Sequence, residues 1–245
     1  MLHLLITGKS GRMGQALIQA AAADDNVAVT ATHDLGEDLS AAIQQAHCVI
    51  DFTVHSFTQQ VIEAALQHGT RLVIGTTGHS EQQRQLIQEA ALTLPIVCAS
   101  NYSVGVNTLF WLTRQAAAIL PQDQFDIEVT EMHHRHKIDA PSGTARRLLE
   151  ILNEQTQTTY QADVVHGRLG NIGPRKAREI GMHALRGGDV VGDHTVIFAA
   201  DGERVELTHK ASSRLTFAAG AIRAALWLHH QPAGLYDMQD VLGLK

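Results

Sequence analysis

Between Glu131 and Ala145 the chain reads Glu-Met-His-His-Arg-His-Lys-Ile-Asp-Ala-Pro-Ser-Gly-Thr-Ala. The imidazoles of His133, His134 and His136 and the ammonium of Lys137 are packed into consecutive or near-consecutive positions. Pro141 then interrupts regular structure, and Ser142 is a favourable N-cap for the apolar-periodic run Ala145, Leu148, Leu149, Ile151 and Leu152. A helix that starts there turns the backbone N–H groups of Gly143 and Thr144 outward, where they attract carboxylate or phosphate. Imidazoles and an ammonium beside an anion cradle can move a proton on an acidic substrate. Taken singly, each histidine reads better as part of a solvated polar loop. The run as a whole, with the cradle directly after it, reads as a site.

Phe125 to Met132 carries this run at its end. Phe125, Ile127 and Val129 alternate there with Asp126, Glu128 and Thr130, the pattern of a half-buried strand. A second chemical signal lies at the N-terminus. The apolar run Leu2 to Thr7 leads into Gly8-Lys-Ser-Gly11-Arg-Met-Gly14, and a helical run follows. Strand, glycine turn and helix in that order form a dinucleotide cradle, in which the glycines permit a tight turn and close approach of a pyrophosphate. Asp34 closes the next predicted strand, Val27 to Thr32 with His33, where a carboxylate can hold ribose hydroxyls. The competing reading is a glycine turn without a ligand and Asp34 as a loop acid.

Strands then alternate with helices: His47 to Phe52, Ser56 to His68, Arg71 to Ile74, a helix opened by Ser80 and Gln83, and Pro95 to Ala99. That alternation predicts a doubly wound parallel sheet, an α/β Rossmann-like fold, with ligands at the carboxyl ends of its strands. Thr53, Gly75-Thr76-Thr77 and Ser100-Asn101-Tyr102 all fall at such ends. After about Val104 the texture changes. A helix is expected over Val106 to Leu120, then the His/Lys strand, and then a polar stretch from Gln155 to Arg178 without period. Strands follow at Ile180 to Arg186, Val190 to Ala199 and Arg204 to Lys210, with hairpin turns expected at Gly187-Gly188 and Asp201-Gly202. Strands without intervening helices predict a second, mixed or antiparallel sheet in an α+β domain. The alanine-rich run Leu215 to Leu228 is expected to return to the first domain. The expected division is therefore 1–104 with 214–245, and 105–213.

Composition narrows the classes. With 44% hydrophobic residues the chain can bury a sizeable core, and with 4% aromatic residues that core is aliphatic. A formal charge of −6 and no basic stripe argue against a nucleic-acid binder. Cys48 and Cys98 sit in apolar runs and read as small buried hydrophobes. No stretch reads as a signal peptide or membrane span, so a cytoplasmic location is expected.

Together these residues resemble the 4-hydroxy-tetrahydrodipicolinate (dihydrodipicolinate) reductases of lysine and diaminopimelate biosynthesis, over essentially the whole chain. The glycine turn, Asp51-Phe-Thr53, Gly75-Thr-Thr77, Asn101-Tyr-Ser-Val-Gly-Val-Asn107 and His209-Lys-Ala-Ser-Ser-Arg214 carry the resemblance, and Glu131 to Ala145 is its most specific part. The resemblance implies His133 as catalytic acid/base, Lys137 as second proton donor, and His134, Gly143 and Thr144 as ligands of the substrate's carboxylates. It implies cofactor contacts at Gly8, Lys9, Ser10, Gly11, Arg12, Met13, Asp34, Gly75, Thr76, Thr77, Ala99, Ser100, Asn101 and Tyr102. The implied cofactors are NADH and NADPH, the substrate a cyclic imine dicarboxylate, and the assembly a homotetramer formed through the second domain's sheet. One departure concerns cofactor choice: some relatives carry an arginine directly after the ribose-binding acid, and Leu35 stands here. Three other readings stay open at this point. They are a dehydrogenase for another amino acid or sugar, a redox sensor that binds the dinucleotide without turnover, and a zinc site at His133, His134 and His136.

Overall fold

The computed structural model describes all residues from Met1 to Lys245. In chain order the elements are β1 (Leu2–Thr7), α1 (Arg12–Ala21), β2 (Val27–His33), α2 (Leu39–Ile43), β3 (Cys48–Asp51), α3 (Thr58–His68), β4 (Arg71–Ile74), α4 (Glu81–Ala90), β5 (Pro95–Cys98) and α5 (Val104–Ile119). They continue with β6 (Asp126–His133), α6 (Gly143–Thr156), α7 (Tyr160–Asp163), β7 (Val164–His166), β8 (Ile180–Arg186), β9 (Gly192–Ala200), β10 (Glu203–Ala211), α8 (Leu215–Leu228), β11 (Gly234–Tyr236) and α9 (Met238–Leu242). The chain forms two compact units, Met1–Val104 with Arg214–Lys245, and Gly105–Ser213.

The first unit holds a six-stranded sheet in the order β11-β5-β4-β3-β1-β2, parallel throughout. The chain runs outward from β1 to β2 and then crosses to β3 on the other side of β1. This puts the switch of direction between β1 and β3, where the crevice of such a sheet lies. The strands are almost wholly apolar because both faces are covered. One face packs α1, α8 and α9 through Leu4, Ile6, Leu17, Ile50, Val73, Val97, Ala221 and Leu228. The other packs α3 and α4 through Leu5, Val49, Ile62, Leu72, Ile74, Ile87 and Ile96. Cys48 is fully buried, and burial pushes its thiol up to about 12.

The second unit holds a five-stranded mixed sheet in the order β10-β9-β6-β8-β7. β6 pairs antiparallel with β9 and parallel with β8. Ile127 and Val129 on one face of β6 join Leu148, Leu149, Leu152, Met182, Val196 and Phe198 in a core under α6 and α5. The hairpin expected at Gly187-Gly188 does not exist, because β6 lies between β8 and β9. The connection instead crosses the end of β6 and bonds to its exit: Gly187 N–H to His133 O at 2.9 Å, and His134 N–H to Val190 O at 2.7 Å. Asp201-Gly202 does turn β9 into β10 as an antiparallel pair. Short α2, α7, β7, β11 and α9 have too few residues to show a period.

Gly220 in α8 sits against the β5 exit so closely that a Cβ there would lie 1.8 Å from the Tyr102 carbonyl oxygen. The helix meets backbone, which cannot turn aside. Gly220→Ala is expected to cost about 1–3 kcal/mol or more of stability, read as a drop in Tm. A variant that melts with wild type would contradict this packing.

Candidate functional site

The polar centre of the second unit begins as an extension of β6's buried face. Ile127 and Val129 are followed on the same side by Glu131 and His133, since a strand returns to a face every second residue. Glu131 is 1% exposed and His133 9%. A carboxylate so buried must be fully bonded, and Glu131 is. Its Oε2 lies 2.5 Å from His133 Nδ1, and Ser142 N–H donates to Oε1 at 3.1 Å. Arg186, the residue registered beside His133 on β8, donates to both oxygens at 2.8 and 2.9 Å. Burial alone would raise this carboxyl's pKa. The bonds from His133 and Arg186 and the Ser142 amide outweigh burial and hold it at about 2.

On the antiparallel neighbour, His194 stands opposite Glu131. Its ring meets His133 edge-on with centroids 5.2 Å apart, and its Nε2 lies 3.1 Å from Ser142 Oγ. Burial, then the neighbouring His133, pushes His194 down to about 3, so it stays neutral. Ser142 has extended backbone and caps α6, its Oγ accepting from Ala145 N–H at 3.2 Å. A Cβ on Gly143 would meet nothing within 4 Å, so the first turn of α6 is open to a ligand. Lys137 reaches this region from the loop after β6, where its Nζ pairs with Asp139 Oδ1 at 2.8 Å. His134 follows His133 directly, and its ring lies 6.2 Å from that of His136. His133, His134, Lys137, Gly143 and Thr144 thus all stand at the strand exit and the helix start that face it. No group of side chains here is arranged to hold a metal ion.

Glu128, on the opposite face of β6, anchors the polar stretch. Arg168 donates to both of its oxygens at 3.1 and 2.7 Å, Arg175 Nε to Oε1 at 3.2 Å, and His183 Nε2 lies 2.8 Å from Oε2. Burial raises this carboxyl, and the three partners overcome it and lower it to about 2.

The first unit's site is backbone-built. Gly8 has φ +68°, and a Cβ on Gly14 would lie 2.0 Å from Gly8 O, so only glycine permits the turn that delivers α1. Gly11 precedes α1 without any side-chain cap, which leaves the helix's first amides to a ligand. Ser10 N–H donates to Asp34 Oδ2 at 3.1 Å. Gly8, Ser10, Gly11, Asp34, Leu35, Phe52 and Thr53 line a cavity of about 430 Å³ with Phe57. Thr76, Thr77, Ala99 and Ser100 line another of about 300 Å³. Glycine is required at Gly75, where a Cβ would run into the Phe52 ring.

Several positions behave in ways the sequence did not disclose. Asp51 is 1% exposed and accepts from the hydroxyls of Thr7, Thr53 and Thr76 at 2.6, 2.6 and 2.7 Å, which ties the ends of β1, β3 and β4 together. The Tyr102 ring is buried, and its hydroxyl is shared between the carbonyls of Ile74 and Val97 at 2.9 and 3.0 Å. Its side chain is therefore structural, and only its backbone can meet a ligand. Met13 packs on the core, and Asn101 Oδ1 accepts Ser103 N–H at 2.8 Å. Arg12 is exposed, whereas Lys9 pairs with Glu37 at 2.5 Å, and Glu37 also accepts Asp34 N–H at 2.8 Å. The Glu131–His133 spacing was a usable signal. Arg186, His194 and Glu37 were not visible without cross-strand register and loop geometry.

Residues 2–102 match the family model described as dihydrodipicolinate reductase, N-terminus, and residues 105–242 that described as dihydrodipicolinate reductase, C-terminus. The chain is 61% identical over 245 residues to 4-hydroxy-tetrahydrodipicolinate reductase of Akkermansia muciniphila, covering 100% of this chain and 99% of the relative. It is 48% identical over 266 residues to the protein of that name from Thiobacillus denitrificans, with 100% and 99% covered. A solved structure of dipicolinate-bound dihydrodipicolinate reductase from Paenisporosarcina sp. TG-14 has the same fold, with TM-score 0.79, 23% identity and 98% of each chain covered.

Both depressed carboxyls carry a pH signature. Each contributes stability that is complete above the unfolded value near 4.5 and is lost as pH falls toward about 2. Melting temperature should therefore fall steeply across that window. Glu128→Gln is expected to lower stability at neutral pH by roughly 1.5–3 kcal/mol and to flatten the acid slope. Equal slopes in the two proteins would remove Glu128 from the account.

Proposed function

Since the chain belongs to the dihydrodipicolinate reductase family, we propose that it reduces 4-hydroxy-tetrahydrodipicolinate, through its dehydrated cyclic imine, to tetrahydrodipicolinate. The observation that carries this reading is the buried Glu131–His133 pair at a strand exit, next to the open first turn of α6. When bound, a reduced nicotinamide supplies the hydride that no side chain can. The glycine turn, the uncapped start of α1 and Asp34 fit such a group: backbone amides for the pyrophosphate, a carboxylate for ribose hydroxyls.

The protein's own part is to bind and to move a proton. The amides at Gly143 and Thr144 hold one substrate carboxylate, helped by the positive end of the helix. His134 assists in holding the second. Lys137 exchanges its pairing with Asp139 for the substrate, neutralising charge and offering a hydrogen bond. His133 has Nδ1 committed to Glu131, so Nε2 delivers the proton to the ring while hydride is added at another carbon. A sensor that binds the dinucleotide without turnover would need none of this acid–base apparatus. We also read the protein as a cytoplasmic homotetramer. No helix is long and apolar enough to cross a membrane, and the nine-residue β10 is an edge strand with one side left unpaired within the chain.

His133→Gln is expected to lower turnover by about two to four orders of magnitude with cofactor binding unchanged, measured as loss of nicotinamide absorbance on synthase-generated substrate. Near-normal turnover would move the acid to Lys137 or water. Pyridine-2,6-dicarboxylate should compete with the imine, and Lys137→Ala should weaken that inhibition.

Cofactor choice follows from the end of β2. A 2′-phosphate would meet Asp34 and Glu37, and Leu35 offers no guanidinium. Lys9 is already engaged by Glu37, which leaves Arg12 as the cation of the turn still exposed. NADH should equal or modestly exceed NADPH, with kcat/KM within about tenfold, or roughly 1.4 kcal/mol. Glu37→Gln should shift the ratio toward NADPH by releasing Lys9, and Lys9→Ala with Arg12→Ala should shift it the other way. A strong NADPH preference that survives loss of both cations would overturn this view of the pocket.

A further inference from the structure

The acid and the carboxylate cradle come from different elements, β6 and α6, yet both are bonded to one carboxylate. Glu131 Oε2 faces His133 Nδ1 at 2.5 Å, and Oε1 takes Ser142 N–H at 3.1 Å, one residue before the cradle. The Arg186 guanidinium spans both oxygens at 2.8 and 2.9 Å and also donates to the Asp139 carbonyl at 2.6 Å. Resting on the functional reading above, we propose that Glu131, held in place by Arg186, is the positioning residue that fixes the proton donor His133 and the Gly143–Thr144 cradle relative to each other.

The geometry gives each oxygen one bond from the guanidinium fork and one from the site. Rotating the carboxylate to improve one would break the other, so the imidazole and the helix start are locked in one register. With Nδ1 engaged, the reactive nitrogen is Nε2. It passes over Gly192, where a Cβ would stand 3.0 Å away, so no side chain of β9 can occupy that space. The charge environment of His133 is set from every side. Glu131 lies on its own strand and Arg186 on β8. His194 lies on β9, with His209 of β10 acting on it in turn, and Lys137 and Asp139 on the following loop. Arg186, bonded to both oxygens of Glu131, balances much of its charge.

A purely structural Glu131 would affect folding and nothing else, so the test reads the ring and the cradle separately. The full-length protein is labelled with ¹⁵N-histidine, and ring nitrogen shifts are recorded for wild type and Glu131→Gln. Wild type should show His133 with its proton held on Nδ1 when neutral, and the variant a mixture of tautomers. Pyridine-2,6-dicarboxylate affinity, measured by calorimetry, should fall about tenfold or more. In the pH profile of kcat/KM the variant should lose activity about 100-fold or more, with its alkaline limb moved to lower pH, because removing an adjacent negative charge makes the acid give up its proton sooner. If Glu131→Gln does not fold, Arg186→Lys serves: it keeps the charge but not the two-pronged bond, and should move the same readouts in the same direction by less. A folded variant with unchanged ring tautomer, dicarboxylate affinity within twofold of wild type and an unmoved pH limb overturns the proposal. An inactive wild type with the ring and affinity effects present would refute the assigned reaction and leave the positioning role standing.

Discussion

A carboxylate taken out of water at the end of a strand has to be bonded on every side, and each unit of this protein is organised by one. Asp51 closes β3 and collects three threonine hydroxyls from the ends of its neighbours. Glu131 sits near the end of β6 and collects a guanidinium, an imidazole and a backbone amide. The partners differ in kind, and so do the results. Hydroxyls satisfy Asp51 without bringing a charge, which makes it a knot that fixes loop ends. Glu131 has a cation and a titratable ring as partners, which makes it an electrostatic centre as well as a knot. Loss of either acid would leave its donors buried without an acceptor, a cost of order 1–3 kcal/mol per group.

The two sheets supply these knots in different ways. In the parallel sheet, every strand ends on the same edge, so glycine turns and hydroxyls from consecutive βα connections converge without any one of them being unusual. In the mixed sheet, convergence depends on β6 lying between an antiparallel and a parallel neighbour. That placement brings Arg186 from one side and His194 from the other onto the same carboxylate–imidazole pair. The β8–β9 connection must then pass over the exit of β6, and its carbonyls and amides hold the backbone of His133, His134 and Arg135.

Much of this was legible from residue order. The parallel sheet followed from strands alternating with helices, and the mixed sheet from three successive strands. The His/Lys run and the cap at Ser142 were marked by type and spacing. What stayed hidden depends on register. Gly187-Gly188 reads locally as a hairpin turn, and only the insertion of β6 between the flanking strands cancels it. Arg186 is an ordinary arginine until pairing sets it beside His133. Tyr102 sits within a recognisable motif, yet its ring turns into the core because two strand-end carbonyls need a donor. Lys9 lies in the glycine turn, and only loop geometry sets Glu37 beside it.

The return of Arg214–Lys245 to the first unit has a consequence for how the protein is made. One face of the parallel sheet is covered by α8, whose Ala218, Ala221, Ala224, Ala225 and Leu228 are buried against Leu4, Ile6, Ile50, Val73 and Val97. Synthesis runs from the N-terminus, so those strand residues leave the ribosome long before their cover exists. The second unit, Gly105–Ser213, is contiguous and has all its sequence while the first still lacks a wall. During that interval an apolar face of the nascent sheet stands open to chaperones and to other nascent chains. The unit that begins first is the one that closes last.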